Sequence, residues 1–358
     1  MEKLAYRTKM MMLVAASIIS FSVTAQEVSK DYHKEYQADK NTTLDLSNKY
    51  GDITVTAWDK DQMVIDVRVT VKHPDKEKAE KYLEQINVEF SQENNTIYAK
   101  TVLDDKFSFT GWWGNTREFK INYTVKMPYT SNLTLANRYG NTDIDELRGL
   151  VNLDIKYGNV EVDKLTRGNE KPFNRIEVAY GKATILEGGW LDMYIRYSPA
   201  TVDKSQALLI DSRYSRIKIG TTSSAVGDSK NDNYNIEKIN NLVLKADYTP
   251  VTAGTVAKKI AFTGSYGSLS VDEIPAGFES VDVDIRYSGA RLVIADNASY
   301  QLDAKSSYGG IKYNEDNLKI NRRIVENNSS EVTGLMGNDE KTSSTVKLRT
   351  SYGTIKLF

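Results

Sequence analysis

One short phrase recurs along the chain and constrains what it can fold into: an alternating apolar strand, a Tyr-Gly pair, then a second alternating strand. It reads LTLANRYGNTDIDEL around Tyr139 and LDIKYGNVEVDKL around Tyr157, and VKLRTSYGTIKLF closes the sequence at Phe358. The tyrosines of the phrase are Tyr50, Tyr139, Tyr157, Tyr180, Tyr197, Tyr214, Tyr248, Tyr266, Tyr287, Tyr308 and Tyr352. From Tyr139 the steps are 18, 23, 17, 17, 34, 18, 21, 21 and 44 residues. A period near 20 marks a stacked repeat array, and the steps of 34 and 44 read as two coils each, with one degenerate member.

Within a repeat, Leu153 and Ile155 alternate with Asp154 and Lys156, and Val160 and Val162 alternate with Glu161 and Asp163. Period two marks strands with one buried face. A coil this small cannot bury that face alone but shares a core when stacked on its neighbours. The expected fold class is therefore all-β: a single-domain β-solenoid, or parallel β-helix. The usual crossover preference of parallel strands makes it right-handed. The glycine after the tyrosine supplies φ > 0 at the corner. Where Ser198, Ser215, Ser288 or Thr249 replaces it, the corner is a bend at negative φ.

Equivalent tyrosines of successive coils would lie about 4.7–4.9 Å apart. Tyr139, Tyr157, Tyr180, Tyr197, Tyr214, Tyr266, Tyr287, Tyr308 and Tyr352 are thus expected to form a structural ladder. Each offset-stacked pair is worth about 0.5–1.5 kcal/mol beyond burial. The same stripe, if exposed, would suit sugar rings. The residue before the tyrosine is often basic, as at Lys49, Arg138, Lys156, Arg196, Arg213 and Arg286. In a stack these make a cationic row. It is either a solvated face with acidic partners such as Glu161 and Asp163, or a stripe for an acidic polysaccharide.

The first 25 residues carry Lys3, Arg7 and Lys9, an apolar run from Met10 to Phe21, and the small-residue site Val23-Thr24-Ala25. That is the layout of a secretory signal, with cleavage before Gln26. No later stretch is apolar for long enough to span a membrane as a helix. The chain has no cysteine, so disulfides, thiolate chemistry and Cys-ligated metals are excluded. Formal net charge is −1, which gives no global attraction to nucleic acid. The expected location is outside the cytoplasm: periplasm, outer-membrane surface or extracellular.

Four segments follow from this reading: a signal peptide at 1–25, a polar flexible leader at 26–41, a first coil with helix and hairpin at 42–128, and the repeats at 129–358. A helix is expected over 74–86, where Ala79, Tyr82, Leu83 and Ile86 form one apolar stripe and Asp75 and Glu77 occupy the first turn. It is assigned as a cap on the array. Val88–Leu103 reads as a hairpin turning at Asn94-Asn95. Two polar stretches, Thr221–Asn235 and Asn314–Thr345, read as excursions from the stack.

The phrase YGDITVTAWDKDQMVIDVRVTV, the stretch PDKEKAEKYLEQI and the later Tyr-Gly coils resemble the bacterial "putative adhesin" family over roughly residues 42–358. That resemblance implies an exported, Tyr/Gly-repeat β-solenoid of Bacteroidetes type with an adhesin-like role. It implies no catalytic residues.

Histidine occurs only at His33 and His73, and no HExxH, Walker loop or Ser-His-Asp context is present. Neither a metal nor a cofactor is expected. The enzyme alternative rests on Asp145, Asp163, Asp203 and Asp272, each six residues after its tyrosine. Such acids serve lyases and hydrolases of carbohydrate, whereas recurrence at one register position points to a turn role. Trp112 and Trp113, flanked by glycines, are the discrete binding candidates, beside the basic row of Arg138, Lys156, Arg196, Arg213 and Arg286. The favoured function is a non-enzymatic envelope protein that presents Tyr and Arg/Lys to a polysaccharide or protein partner. The alternatives are a carbohydrate lyase or hydrolase, or a purely structural protein.

Overall fold

The computed structural model describes residues 26–108 and 118–358. Residues 1–25, read above as a signal, and Trp112 and Trp113 lie outside the described residues. The fold is all-β: 26 strands of one mixed sheet, and one short helix, Lys76–Glu84, among the described residues. In place of one domain there are two compact units. The smaller comprises 26–31, 68–87 and the described part of 103–120; the larger comprises 32–67, 88–102 and 121–358.

The smaller unit has no Tyr-Gly phrase. Asp75 caps the helix, its side chain accepting from the N–H groups of Glu77 and Lys78. That satisfies two of the donors a helix start leaves open. The helix is shorter at both ends than the apolar stripe suggests. Pro74 and Asp75 belong to the turn before it, and Gln85 closes it, its N–H bonding to Tyr82 and Leu83 carbonyls. Ala79 and Ile86 are buried. Tyr82 lies against His73 and edge-on to Phe107, which in turn meets Phe119 edge-on at 5.1 Å. The segment expected to be a flexible leader begins a twelve-residue strand, Gln26–Gln37, in which Asp31 is bidentate to Arg68.

The larger unit carries the repeats. Strands before the tyrosine pair in parallel with one another, and strands after it do the same. Leu135, Leu153 and Ile176 are register partners, and the row continues through Met193, Ile210, Gly227 and Leu244. After the corner, Ile144, Val162, Ile185 and Val202 pair in the same way. Apart from half-buried Gly227, these rows are buried, and the intervening residues face outward. Thr221–Asn235, expected to leave the stack, lies within two fifteen-residue strands, Arg216–Lys230 and Asn233–Asp247. Its polar residues are mostly the outward half of the alternation, with Thr222 buried against Ser205 and a buried polar cluster at Asp232.

The corner works differently from the sequence expectation. The left-handed residue is the tyrosine, at φ between +47° and +63° in all eleven copies, and Asn231 takes the same conformation at +56°. The following glycine is required for a different reason. A Cβ on Gly158 would stand 1.9 Å from the Gly140 carbonyl oxygen, and one on Gly181 would stand 1.8 Å from that of Gly158. Backbone approaches backbone there, and no side chain fits. Where serine or threonine stands instead, its hydroxyl bridges the coils. Ser198 Oγ accepts from the Gly181 N–H and donates to the Arg196 carbonyl. Ser215 Oγ accepts from the Ser198 N–H and donates to the Arg213 carbonyl.

A left-handed residue with a Cβ costs roughly 1 kcal/mol relative to glycine. Tyr157→Gly is therefore expected to be less destabilising than Tyr157→Ala by about that amount, although both lose the ring. Urea unfolding of the two variants checks this; equal midpoints would mean the corner is not strained.

The step of 44 does not hold two coils. After Tyr308 the chain leaves as an antiparallel hairpin, Leu318–Glu326 and Ser329–Met336, whose inner strand pairs with Tyr300–Ser307. It returns as Thr345–Ser351, which runs parallel between Ser280–Arg286 and Tyr300–Ser307. The last coil in sequence is thus wedged between two earlier ones.

Candidate functional site

The corners line up the tyrosines. Tyr50, Tyr139, Tyr157, Tyr180, Tyr197 and Tyr214 stack consecutively at 4.9–5.1 Å between ring centroids, with interplanar angles of 1–8°. A second run follows in the spatial order Tyr248, Tyr266, Tyr287, Tyr352 and Tyr308, at 4.8–5.1 Å. Asn231 stands between the two runs, 17 residues from each flanking tyrosine; the step of 34 does hold two coils.

From Tyr139 onward the rings are about half exposed. Their faces lie against neighbouring rings, so the edges and phenol hydroxyls meet solvent. A sugar therefore cannot lie flat on a ring within either run, as an open aromatic stripe would allow.

The basic row lies beside the ladder, partly neutralised. Its partners are the outward-facing acids two residues earlier on the same strands, not Glu161 and Asp163, which lie beyond the corner. Lys156 pairs with Asp154 at 3.2 Å, with Arg138 more distant at 3.9 Å. Arg196 and Arg213 both reach Asp211 at 2.9 Å, and Arg213 also reaches Asp228 at 2.8 Å. Arg213 in addition donates to the Asp228 carbonyl at 2.9 Å, so its guanidinium ties neighbouring coils together. Lys49, Lys230 and Arg286 have no ion-pair partner among the described residues and are exposed. A shallow cleft of about 240 Å³ opens on this face, lined by Asp154, Lys156, Glu177, Tyr194 and Arg196. Arg175 stacks on the Tyr194 ring beside it, 4.0 Å from the centroid.

The acids after the corner do not form a continuous row. In register order, Asp145 and Asp163 are followed by Leu186, Asp203, Gly220, Glu237, Gly254 and Asp272. All four aspartates are exposed, and Asp272 is held by Arg291 at 3.0 Å. No cluster of three or more His, Asp or Glu fit to hold a metal occurs among the described residues.

Two features escape a reading of the sequence. One is the buried Asp232, which takes the corner position that glycine or serine fills elsewhere. Its carboxylate accepts from the hydroxyls of Ser212 (2.7 Å) and Ser229 (2.6 Å) and from the N–H groups of Ser215 (2.6 Å) and Lys230 (3.1 Å). Tyr234, whose hydroxyl meets Ser212 at 2.7 Å, is buried so deeply that its phenol is held neutral well above the ordinary range. The available signal was the aspartate itself, standing one residue after the degenerate ladder member.

The other is His33, exposed on the strand Gln26–Gln37 and bonded to Asp66 Oδ1 at 2.6 Å and Glu35 Oε1 at 3.0 Å. The hydrogen bond to Asp66, then that to Glu35, raises its pKa above the ordinary 6.5. The folded chain favours the charged imidazole more than the unfolded chain does. Its contribution to stability is complete below 6.5 and is lost as pH rises through the folded value. An NMR titration is expected to show the His33 midpoint above 6.5, moving back down in Asp66→Asn.

Comparison with solved structures places neighbours beside this geometry. Several are putative adhesins. One from Parabacteroides merdae is 11% identical, with a TM-score of 0.32, over 92% of this chain and 96% of that one. One from Bacteroides fragilis is 12% identical, with a TM-score of 0.27, over 92% and 97%. A putative lipid binding protein from Parabacteroides distasonis is 8% identical, with a TM-score of 0.27, over 92% and 97%. No family profile and no curated protein matches the chain. No helix among the described residues is long and apolar enough to cross a membrane.

Proposed function

We propose that this chain is an exported binding or scaffold protein of the cell envelope. In this reading the parallel coils form a β-solenoid, and one edge of it is offered to a polymeric partner, a polysaccharide or a protein. The observation that carries the reading is the tyrosine ladder. Two runs of near-parallel stacked rings set their centroids at steps of 4.8–5.1 Å, with the phenol hydroxyls along the exposed edge. Arg138, Lys156, Arg196 and Arg213 flank the first run and Arg286 the second. A rigid comb of hydroxyls and cations suits a partner that is itself periodic and rich in hydroxyl or carboxylate groups, because it is already ordered before binding. The partial neutralisation by Asp154, Asp211 and Asp228 leaves geometry, more than net charge, to set the preference.

The test is retention on immobilised envelope polysaccharides and on outer-membrane protein extracts, with release of reducing or unsaturated ends read from the same samples. Retention without products is expected. Arg286→Ala, which removes a cation with no ion-pair partner among the described residues, should weaken retention several-fold and flatten its salt dependence. Trp112→Ala tests the tryptophan pair in the same assay. New sugar ends that vanish in Asp163→Asn would replace this reading with a carbohydrate lyase or hydrolase. No retention on any surface would leave a purely structural role.

A further inference from the structure

The ladder has one internal gap, and the surroundings of that gap are unlike those of any other corner. At Asn231 the backbone keeps the ladder conformation, φ +56°, and the N–H bonds to the Asp247 carbonyl as tyrosine N–H groups do elsewhere. The corner is therefore in place and only the ring is missing. Two ladder steps separate Tyr214 from Tyr248, about 10 Å between centroids given steps near 4.9 Å. Two ring faces look at each other across that space. Tyr214 is 55% exposed and Tyr248 51%, against 45–53% for the rings stacked on both faces.

The polar groups around the gap are unmatched as well. The Asn231 side-chain amide, on its floor, has no hydrogen-bond partner among the described residues. The close ion pairs that hold Arg196 and Arg213 to Asp211 and Asp228 are followed by a more distant one, Lys245 to Asp228 at 3.9 Å. Lys230 and Asp247 are register partners on one side of the corner, and neither has an ion-pair partner among the described residues. Arg216 and Asn233 are register partners on the other side, both exposed, and the Arg216 guanidinium likewise has no ion-pair partner among the described residues.

We propose that this gap is a binding slot for one pyranose ring of a polysaccharide. A pyranose is apolar on its two C–H faces and polar around its rim. The slot has two π faces about 10 Å apart and a rim of amide, ammonium, guanidinium and carboxylate. A ring entering edge-on lies between Tyr214 and Tyr248 where the absent tyrosine would be. Its hydroxyls reach Asn231, Lys230 and Asp247. A purely aromatic ring would cover the faces and leave that rim unpaired, which costs affinity. The slot also overcomes the limit noted above, since within the two runs ring faces are blocked by their neighbours.

This rests on the proposed polymer-binding role and narrows it to one ring at one position. The test compares the purified wild-type protein with Asn231→Tyr, which completes the ladder, and Tyr248→Ala, which removes one wall. Eleven coils already hold tyrosine in this conformation, so Asn231→Tyr should fold and melt no lower than wild type. The probes are cellotetraose, mannotetraose, tetragalacturonate and p-cresol, followed by NMR of the Asn231 side-chain amide and the tyrosine rings. At least one sugar is expected to bind at millimolar concentration and shift Asn231, Tyr214 and Tyr248, with a loss of tenfold or more in both variants. Equal binding by Asn231→Tyr, binding by p-cresol alone, or no binding by any sugar to wild type each overturns the slot. Polysaccharide retained equally by wild type and Asn231→Tyr would sink the slot yet leave the comb standing. Retention by neither would sink both.

Discussion

Asp232→Ala is expected to destabilise the protein by about 4 kcal/mol, since it strands several buried donors at once. The carboxylate is buried and accepts four hydrogen bonds, two from serine hydroxyls and two from backbone N–H groups. The hydroxyls can rotate to other acceptors; Ser229 already has Thr249 Oγ1 at 3.2 Å and Ser212 has the Tyr234 hydroxyl. The Ser215 and Lys230 N–H groups cannot turn away, and each would lose a charge-assisted bond, worth roughly 1.5–3 kcal/mol. Asp232→Asn keeps one acceptor oxygen but turns an NH2 toward a donor, so about half the loss is expected. Asp203→Ala, an exposed aspartate of a nearby coil, should change stability by less than about 0.5 kcal/mol. Urea unfolding of the three variants decides the matter. If Asp232→Ala costs no more than Asp203→Ala, the cluster is not what holds this corner. The result also bears on the slot, because Asp232 fixes the corner immediately after Asn231.

What the sequence makes legible here is what depends on nearest neighbours. Alternation at Leu153, Ile155, Val160 and Val162 follows from one strand having two faces, so strands and inward residues can be read directly. The place of Asn231 was present in the arithmetic of the period. The corner chemistry was not, because Tyr-Gly invites the assumption that glycine takes φ > 0. The glycines turn out to be demanded by a neighbouring coil's carbonyl oxygen, 1.8–2.0 Å from where a Cβ would be at Gly51, Gly140, Gly158 and Gly181. A contact between coils leaves no trace in the local pattern. The same applies to the partners of the basic row. Asp154 lies two positions before Lys156 on one strand face and needs no bend to reach it, whereas Glu161 is across the corner. The buried cluster at Asp232 was hidden because Ser, Asn and Asp read as loop residues until a core is known to surround them.

The order of coils is the largest departure from what a period suggests, and it sets the second large effect. Leu348 is fully buried and has Val283 on one side and Ala304 on the other. Leu348→Ala is expected to cost about 3 kcal/mol, from lost transfer energy and from the cavity left where flanking strands cannot close in. Val325→Ala, on the outer strand of the hairpin and 70% exposed, should cost less than about 0.5 kcal/mol. The more telling consequence is where the damage spreads. Strand Tyr300–Ser307 has Thr345–Ser351 as its parallel partner and the hairpin on its other side. Weakening the wedge therefore loosens Tyr300–Ser307 and the hairpin together, while Val151–Lys156, many coils away, keeps its own partners on both sides. Repeat arrays transmit stability through neighbouring interfaces, so opening should remain confined to the end that lost one. Amide exchange in Leu348→Ala is accordingly expected to rise throughout 301–336 with little change at 151–156. Uniform acceleration would show the repeats opening as a single cooperative body. Unchanged protection of 301–336 would mean the hairpin, and not the returning last coil, holds that end closed.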